Sequence, residues 1–300
     1  MYDIIVIGAG PAGITAAIYA IRKRMDLLVI SKDVGGQTAW SGSIENYTGY
    51  QFVTGPDLTL KFEEHMRRYN VPLKEGEAVT AVKKTDEKII VTTDKGEYGT
   101  KTLIIASGKK SRELNVPGEK EFKNKGLTYC ATCDGPLFAG KDVAIIGGGN
   151  SALDAALQLI KIAHHIYIIN IAPHLTGDHV MIEKVEGSEV VSVMNSTHVL
   201  AVTGDKVVRG IRIKREGKVE DLPVEGIFVE IGLMPNSDFA SDVSRNSFGE
   251  IKVDSYNRTD IPGIFAAGDV TDVPEKQIII AAGEGSKAAL TAFRYLSERR

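Results

Sequence analysis

Two cysteines are present in the whole chain, three positions apart as Cys130-Ala131-Thr132-Cys133 and followed at once by Asp134 and Gly135. Three chemistries fit such a pair. A structural zinc site needs four ligands, but there is no second cysteine pair and the six histidines show no matching spacing. Two buried thiols could be inert packing. A redox dithiol can close into a small disulfide ring and reopen by exchange, and thiols at this spacing commonly ionise below the ordinary thiol range. The spacing favours the last reading, with Cys130 and Cys133 as the reactive pair and no metal. Asp134 is placed to shuttle the proton that exchange requires; on spacing alone it also reads as a turn carboxylate or an N-cap. A reducing compartment keeps structural disulfides rare, so a lone cysteine pair there is more often catalytic or metal-binding. The N-terminus lacks a basic, cleavable leader, so the cytoplasm is expected.

Two glycine turns supply the second chemistry. Gly8-Ala9-Gly10-Pro11-Ala12-Gly13 follows an apolar run at 2–7 and precedes a helical stretch at 14–24 and a strand at 27–30. Gly147-Gly148-Gly149-Asn150-Ser151-Ala152 follows a run at 141–146 and precedes a helix to about 163 and a strand at 165–169. Strand, glycine turn, helix, strand is the βαβ dinucleotide-binding unit, and its repetition predicts two nucleotide sites. The glycines permit a tight turn and close approach of a pyrophosphate to the helix N-terminus. An acidic residue is expected after the second strand to hold a ribose; the first unit offers only Asp33. The second unit offers Asn170-Ile171-Ala172-Pro173-His174, without arginine. Asn170 can hydrogen-bond a hydroxyl but cannot neutralise a 2′-phosphate, which argues for NADH over NADPH, or for weak binding of either.

The elements that must position these motifs fit within 300 residues, whose 43% hydrophobic and 25% charged content forms one large or two medium domains. The 36 basic and 39 acidic residues leave a net charge of −3 with no long like-charge run, which excludes nucleic acid and anionic membranes as natural partners. No apolar run is long enough to span a bilayer. Residues 74–101 alternate as an antiparallel meander does. Turn-rich crossings near 112–118 and 234–237 predict an inserted domain: 1–113 with 244–300 as the first dinucleotide domain, and 114–243 as the second, carrying the cysteine pair. The fold class expected is α/β, with two Rossmann-like domains, one inserted in the other. Trp40 and Tyr47 are aromatics that could pack on a flavin or in the core, and His164-His165 reads as a surface pair.

Cys130-Ala-Thr-Cys133-Asp134-Gly135 just before a second glycine turn resembles the low-molecular-weight thioredoxin reductases. Gly35-Gly36-Gln37, Glu45-Asn46-Tyr47, Ile105-Ala106-Ser107-Gly108, the stretch from Gly263 to Asp269, and Gln277-Ile278 carry the same resemblance over nearly the whole chain. Within that family, Asn115-Val-Pro-Gly-Glu119, Cys133-Asp-Gly-Pro-Leu-Phe138, Ala172-Pro173 and the stretch from Lys276 to Ala281 resemble the flavoprotein subunit of alkyl hydroperoxide reductase. That subunit has a carboxylate where Asn170 stands and an additional N-terminal thioredoxin-like region. The resemblance implies FAD at Gly8, Gly10, Pro11, Ala12, Gly13, Gly36, Gln37, Asn46, Ser107, Gly108, Gly268, Asp269, Gln277 and Ile278. It implies a nicotinamide nucleotide at Gly147, Gly149, Asn150, Ser151 and Asn170. Cys133 would be the thiol nearer the flavin, Cys130 its partner and Asp134 the acid/base. It further implies a homodimer that hands electrons to a separate thioredoxin- or glutaredoxin-like protein. Two rivals are an enzyme drawing electrons from ferredoxin or a deazaflavin, and an NADH oxidase with a vestigial cysteine pair.

Overall fold

Near-continuous runs of Ile, Val and Leu at 4–7, 27–30, 103–105, 143–146 and 166–169 are what strands of a parallel sheet covered on both faces require. The computed structural model describes residues 1–40, 44, 46–129 and 131–299, with the backbone alone for Trp40, Thr132 and Cys133. It divides into two compact units, 1–110 with 234–299 and 111–233.

The first unit opens with β1 (Tyr2–Ala9), α1 (Pro11–Arg22), β2 (Leu27–Val34), α2 (Gly55–Arg68) and β3 (Leu73–Glu75). The meander follows as β4 (Val79–Lys84), β5 (Ile89–Thr93) and β6 (Glu97–Ile105). The sheet order is β3-β2-β1-β6-β5-β4. The first half of β6 pairs antiparallel with β5, and its second half runs parallel to β1. The chain leaves this unit through β7 (Lys109–Ser111).

The second unit contains α3 (Glu119–Phe122), β8 (Leu127–Thr128), α4 (Ala131–Asp134), β9 (Asp142–Ile146), α5 (Asn150–Leu159), β10 (His165–Ile169), α6 (His179–Glu186) and β11 (Val191–Met194). Then come β12 (Thr197–Gly204), β13 (Val208–Arg215), β14 (Lys218–Pro223) and β15 (Gly226–Val229). The parallel sheet has the order β11-β10-β9-β15-β8, and β12-β13-β14 forms a separate antiparallel sheet. Leu153, Ala156 and Leu159 of α5 and Val185 of α6 bury one face of the parallel sheet. Val202, Val208, Ile211 and Ile213 of the antiparallel sheet bury the other, on Ala144, Ile146 and Ile227.

The chain returns through β16 (Leu233–Pro235), and β17 (Ile264–Ala266) pairs parallel with the second half of β6. The last helix, α7 (Ile278–Ser297), packs Ala288, Ala289 and Ala292 with α1 over the first sheet. Small residues on both helices permit this close approach. The second crossing falls at Leu233–Met234, beside the turn-rich 234–237 stretch expected to carry it, so the inserted domain ends ten residues before the expected 243–244 boundary. Residues 234–243 were expected in the inserted domain, but Ala240 and Val243 are buried with Ile5, Ile7, Val82 and Val91 in the first unit's core. The Val82 backbone N–H also donates to Phe239 O at 2.9 Å. The first crossing lies at Lys110–Ser111, three residues before the expected 113–114 boundary. Leu114 and Val116 join the second unit's core, as expected. Among the described residues, no helix is long and apolar enough to cross a membrane.

Candidate active site

The two glycine turns are built alike. Gly8 has φ +103°, and a Cβ there would stand 2.3 Å from Ala106 O, the carbonyl just beyond β6. Gly147 has φ +138°, and a Cβ there would stand 2.2 Å from Glu230 O, just beyond β15. Both demand glycine because a side chain meets backbone that cannot yield. Gly10 and Gly149 have room above them, the nearest atoms to an added Cβ being Gly35 O at 3.8 Å and Thr176 Oγ1 at 3.9 Å. They are the N-caps of α1 and α5, extended in backbone, and among the described residues no side chain caps either helix. First-turn N–H groups left without a side-chain acceptor beside open glycines suit a pyrophosphate. The residues present therefore fit a dinucleotide in each unit.

In the first unit the fold gathers most of the residues expected around that turn. The Gly35 N–H donates to Ala9 O at 2.7 Å, and a Cβ on Gly36 would lie 3.6 Å from Gly10 Cα, which brings Gly36 and Gln37 beside the turn. Gly268 packs against Ala12, a Cβ there meeting the Ala12 methyl at 2.9 Å, and this sets Asp269 near the start of α1. Asn46 donates from Nδ2 to Gln277 Oε1 at 3.0 Å, joining two expected residues 231 positions apart. Gln277 is the uncapped N-cap of α7, and Ile278 packs with Ile44, Tyr47 and Leu58. Ser107 Oγ donates to Asn236 O at 2.6 Å, and Asn236 Nδ2 donates back to Ser107 O at 2.9 Å. The Asn236 N–H also donates to Gly108 O at 2.9 Å, so Ser107-Gly108 is a fastened turn. Asp33 is exposed, and Tyr47 lies edge-on to Phe62 at 5.7 Å in a small core.

Sequence reasoning missed a charged cluster beside Asp269. Glu250 sits between two lysines, with Lys109 Nζ and Lys276 Nζ each 3.1 Å from Oε1, and Asn246 donates to its other oxygen at 2.7 Å. Burial acts to raise the Glu250 carboxyl, but these hydrogen bonds outweigh it and hold the pKa at about 2. Asp269 is pushed up from the usual carboxylate range by burial, and the charges of Lys109 and Lys276 restrain the rise. The partners are separated by 141 and 26 positions, and no local pattern joins them.

In the second unit the turn is braced by the loop after β10. Thr176 N–H donates to Gly148 O at 2.7 Å, and Asp178 N–H donates to Asn150 Oδ1 at 2.7 Å. Ser151 is exposed in the first turn of α5. Asn170 is 3% exposed and its carboxamide is committed. Nδ2 donates to Ala172 O, His174 O and Asn195 Oδ1 at 3.2, 2.9 and 2.8 Å, and Oδ1 accepts from Ala172 N–H at 3.2 Å. Asn170 thus shapes the loop beneath Gly148, and its amide does not point outward to grip a ribose, as the sequence led us to expect.

Cys130 lies outside the described residues, and so does the Cys133 side chain. Asp134 closes α4, and its carboxyl accepts a hydrogen bond from Thr128 Oγ1 on β8. It stands at the N-cap of the following 3-10 turn but makes no capping bond. Glu119, 1% exposed, accepts from Leu114 N–H and Asn115 N–H at 2.6 Å each and from Tyr129 Oη at 2.7 Å. Burial and then the Glu119 hydrogen bond raise the Tyr129 phenol well above its ordinary range. The residue preceding Cys130 is therefore pinned, a feature no motif announced. His164 is paired with Asp142 at 2.6 Å and His165 contacts Ser192 at 2.9 Å.

A protein of Bacillus subtilis named NADH dehydrogenase is 42% identical to the chain over 298 residues, covering 98% of the chain and 58% of that protein. An alkyl hydroperoxide reductase subunit of Staphylococcus aureus is 42% identical over 299 residues, covering 98% of the chain and 59% of that protein. The chain thus spans somewhat under three fifths of the length of these relatives. Lactococcus lactis thioredoxin reductase has the same fold at a TM-score of 0.93 and 34% identity, covering 99% of the chain and 100% of that structure. The pattern of the pyridine nucleotide-disulphide oxidoreductases matches residues 2–285, and the chain belongs to that family.

Proposed function

We propose that the chain is a flavin-dependent disulfide reductase. Electrons enter from NADH and leave through the Cys130/Cys133 pair to the disulfide of a thioredoxin- or glutaredoxin-like protein. Family membership implies FAD and a pyridine nucleotide. The observation that carries the reading is the duplicated turn: one open, uncapped glycine turn in each unit, with the cysteine pair on the second unit's chain. Gly8, Gly10, Pro11, Ala12, Gly13, Gly36, Gln37, Asn46, Ser107, Gly108, Gly268, Asp269, Gln277 and Ile278 would hold FAD. Gly147, Gly149, Asn150 and Ser151 would hold the nicotinamide nucleotide. When bound, the flavin accepts a hydride and passes electron pairs to a disulfide. Asp134, steadied by Thr128, would exchange the proton that accompanies thiolate attack. Loop 170–178 carries no lysine or arginine, which supports NADH, since a 2′-phosphate there would lack charge-assisted bonds. A homodimer in the cytoplasm completes the proposal.

A second reading, an NADH dehydrogenase or oxidase that bypasses the dithiol, is favoured by the name of the Bacillus subtilis relative. Replacing Cys130 or Cys133 by serine separates the two. The variants should lose reduction of a thioredoxin-like protein while still passing electrons from NADH to a small dye that meets the flavin directly. Full protein-disulfide reduction by Cys133→Ser would sink the dithiol role and leave the second reading standing.

A further inference from the structure

Each glycine turn is backed by the residue that follows a neighbouring parallel strand: Ala106 after β6 in the first unit, Glu230 after β15 in the second. The two positions are equivalent in topology, yet one carries a methyl and the other a carboxyl. The Glu230 backbone is fixed, its N–H donating to Ile146 O at 2.7 Å and its carbonyl abutting Gly147. Among the described residues, no hydrogen bond or ion pair satisfies its side chain.

A dinucleotide on this fold crosses the C-terminal ends of the strands. Its pyrophosphate lies at the glycine turn, and its adenosine ribose lies at the end of the next strand. Here that strand is β10, on one side of β9; β15 lies on the other. The nicotinamide half must therefore leave the turn over β15, and Glu230 is the first residue beyond that strand. Resting on the dinucleotide site proposed above, we propose that Glu230 lies at the nicotinamide end of the second site and discriminates the cationic oxidised ring from the neutral reduced one. Binding of the oxidised form then converts the carboxyl to a carboxylate and releases its proton to solvent.

The chemistry follows from what surrounds the group. Burial, and then the charge of Asp154 on α5, raise the Glu230 carboxyl to about 8, so it is protonated at neutral pH. Asp154 is itself raised by burial, with a hydrogen bond from Gln158 acting the other way. Among the described residues, Asp154 is the charged group that acts on Glu230; Asp134 is bonded to Thr128, and the Arg112 backbone N–H donates to Gly232 O. A pyridinium placed beside the carboxyl favours its ionised form, and an opposite charge within about 4–6 Å lowers such a pKa by about one to three units. Each unit is a factor of about ten in the affinity of the cationic ring between the two protonation states. The reduced ring carries no charge and gains nothing.

The test uses the purified, flavin-loaded chain without oxygen, at about pH 6 and about pH 9. NAD+ is titrated calorimetrically onto the oxidised protein, and NADH onto protein whose flavin has first been reduced with dithionite, so that no hydride is transferred. NAD+ affinity should rise on the order of tenfold or more with pH. A pH indicator in weak buffer should report proton release on NAD+ binding. NADH affinity should be flat, and Glu230→Gln should flatten the NAD+ response. Asp154→Asn, an independent variant, should move the midpoint to lower pH. An NAD+ affinity that tracks NADH at every pH, or a Glu230→Gln variant that keeps the wild-type slope, overturns the assignment while leaving the dinucleotide site intact. Failure of both nucleotides to bind at any pH overturns the site itself, and with it this role.

Discussion

Replacing Asn170 by aspartate sets two lines of reasoning against each other. The usual logic of a dinucleotide fold places a carboxylate here to hold a ribose, so the substitution should improve NADH binding. The structure argues the reverse. Asn170 is 3% exposed, and its Nδ2 donates to two carbonyls and the Asn195 amide oxygen. Aspartate would remove all three donations and present an oxygen to three acceptors. At about 1 kcal/mol net per lost hydrogen bond, plus the cost of a charge facing unpaired acceptors, the loss is about 3–5 kcal/mol. An aspartate so placed would have its pKa raised on folding. The variant's deficit should therefore be smallest below about pH 4 and grow as pH rises through the raised value. The assay is urea unfolding of the full chain followed by circular dichroism at mildly acid and mildly alkaline pH, with NADH titration of the folded protein. The expected result is a lower midpoint, more so at the higher pH, and weaker NADH binding because the loop bracing Gly148 is disturbed. Wild-type stability together with tighter NADH binding would show that Asn170 faces the ribose after all.

Two further outcomes are accessible to simple measurements. Gly8→Ala would place a methyl 2.3 Å from Ala106 O at a φ of +103°, so the variant should purify without bound FAD, lacking the flavin absorbance of the parent; a fully yellow variant would refute the close-approach argument. Glu230 keeps, when folded, a proton that an unfolded glutamate with its ordinary value of 4.5 releases, since burial and Asp154 raise it to about 8. The stability it contributes is fully present below about pH 4.5 and is lost as pH rises to about 8, at most about 5 kcal/mol. Melting curves across that range should slope downward for the parent and less steeply for Glu230→Gln, and parallel slopes would contradict the burial of this group.

The duplicated strand–glycine–helix plan was legible because its cause is local: steric demands at Gly8 and Gly147 act within a few residues of the turn, and the apolar runs of β1, β2, β9 and β10 are contiguous in sequence. The boundary after the second crossing was misplaced for the opposite reason. Residues 234–237 read as the crossing but the stretch to 243 was counted with the inserted domain, and only the first unit's sheet reveals that Ala240 and Val243 close its core. Asn170 illustrates a subtler limit. Its position after β10 was identified, but a side chain's task depends on what the following loop does, and here that loop folds back to engage both ends of the amide. The same applies to Lys109, Glu250 and Lys276, whose cluster forms only once the strands and loops carrying them have assembled. Glu230 stands between these cases. Aligning the two repeats by topology pairs it with Ala106, so a comparison of the chain with itself, made strand by strand rather than motif by motif, exposes a carboxyl where the other repeat carries a methyl. A polar group substituted into an otherwise duplicated frame is not needed to form the turn, since the first repeat forms it without one, and its cost in burial must be offset by something the turn binds.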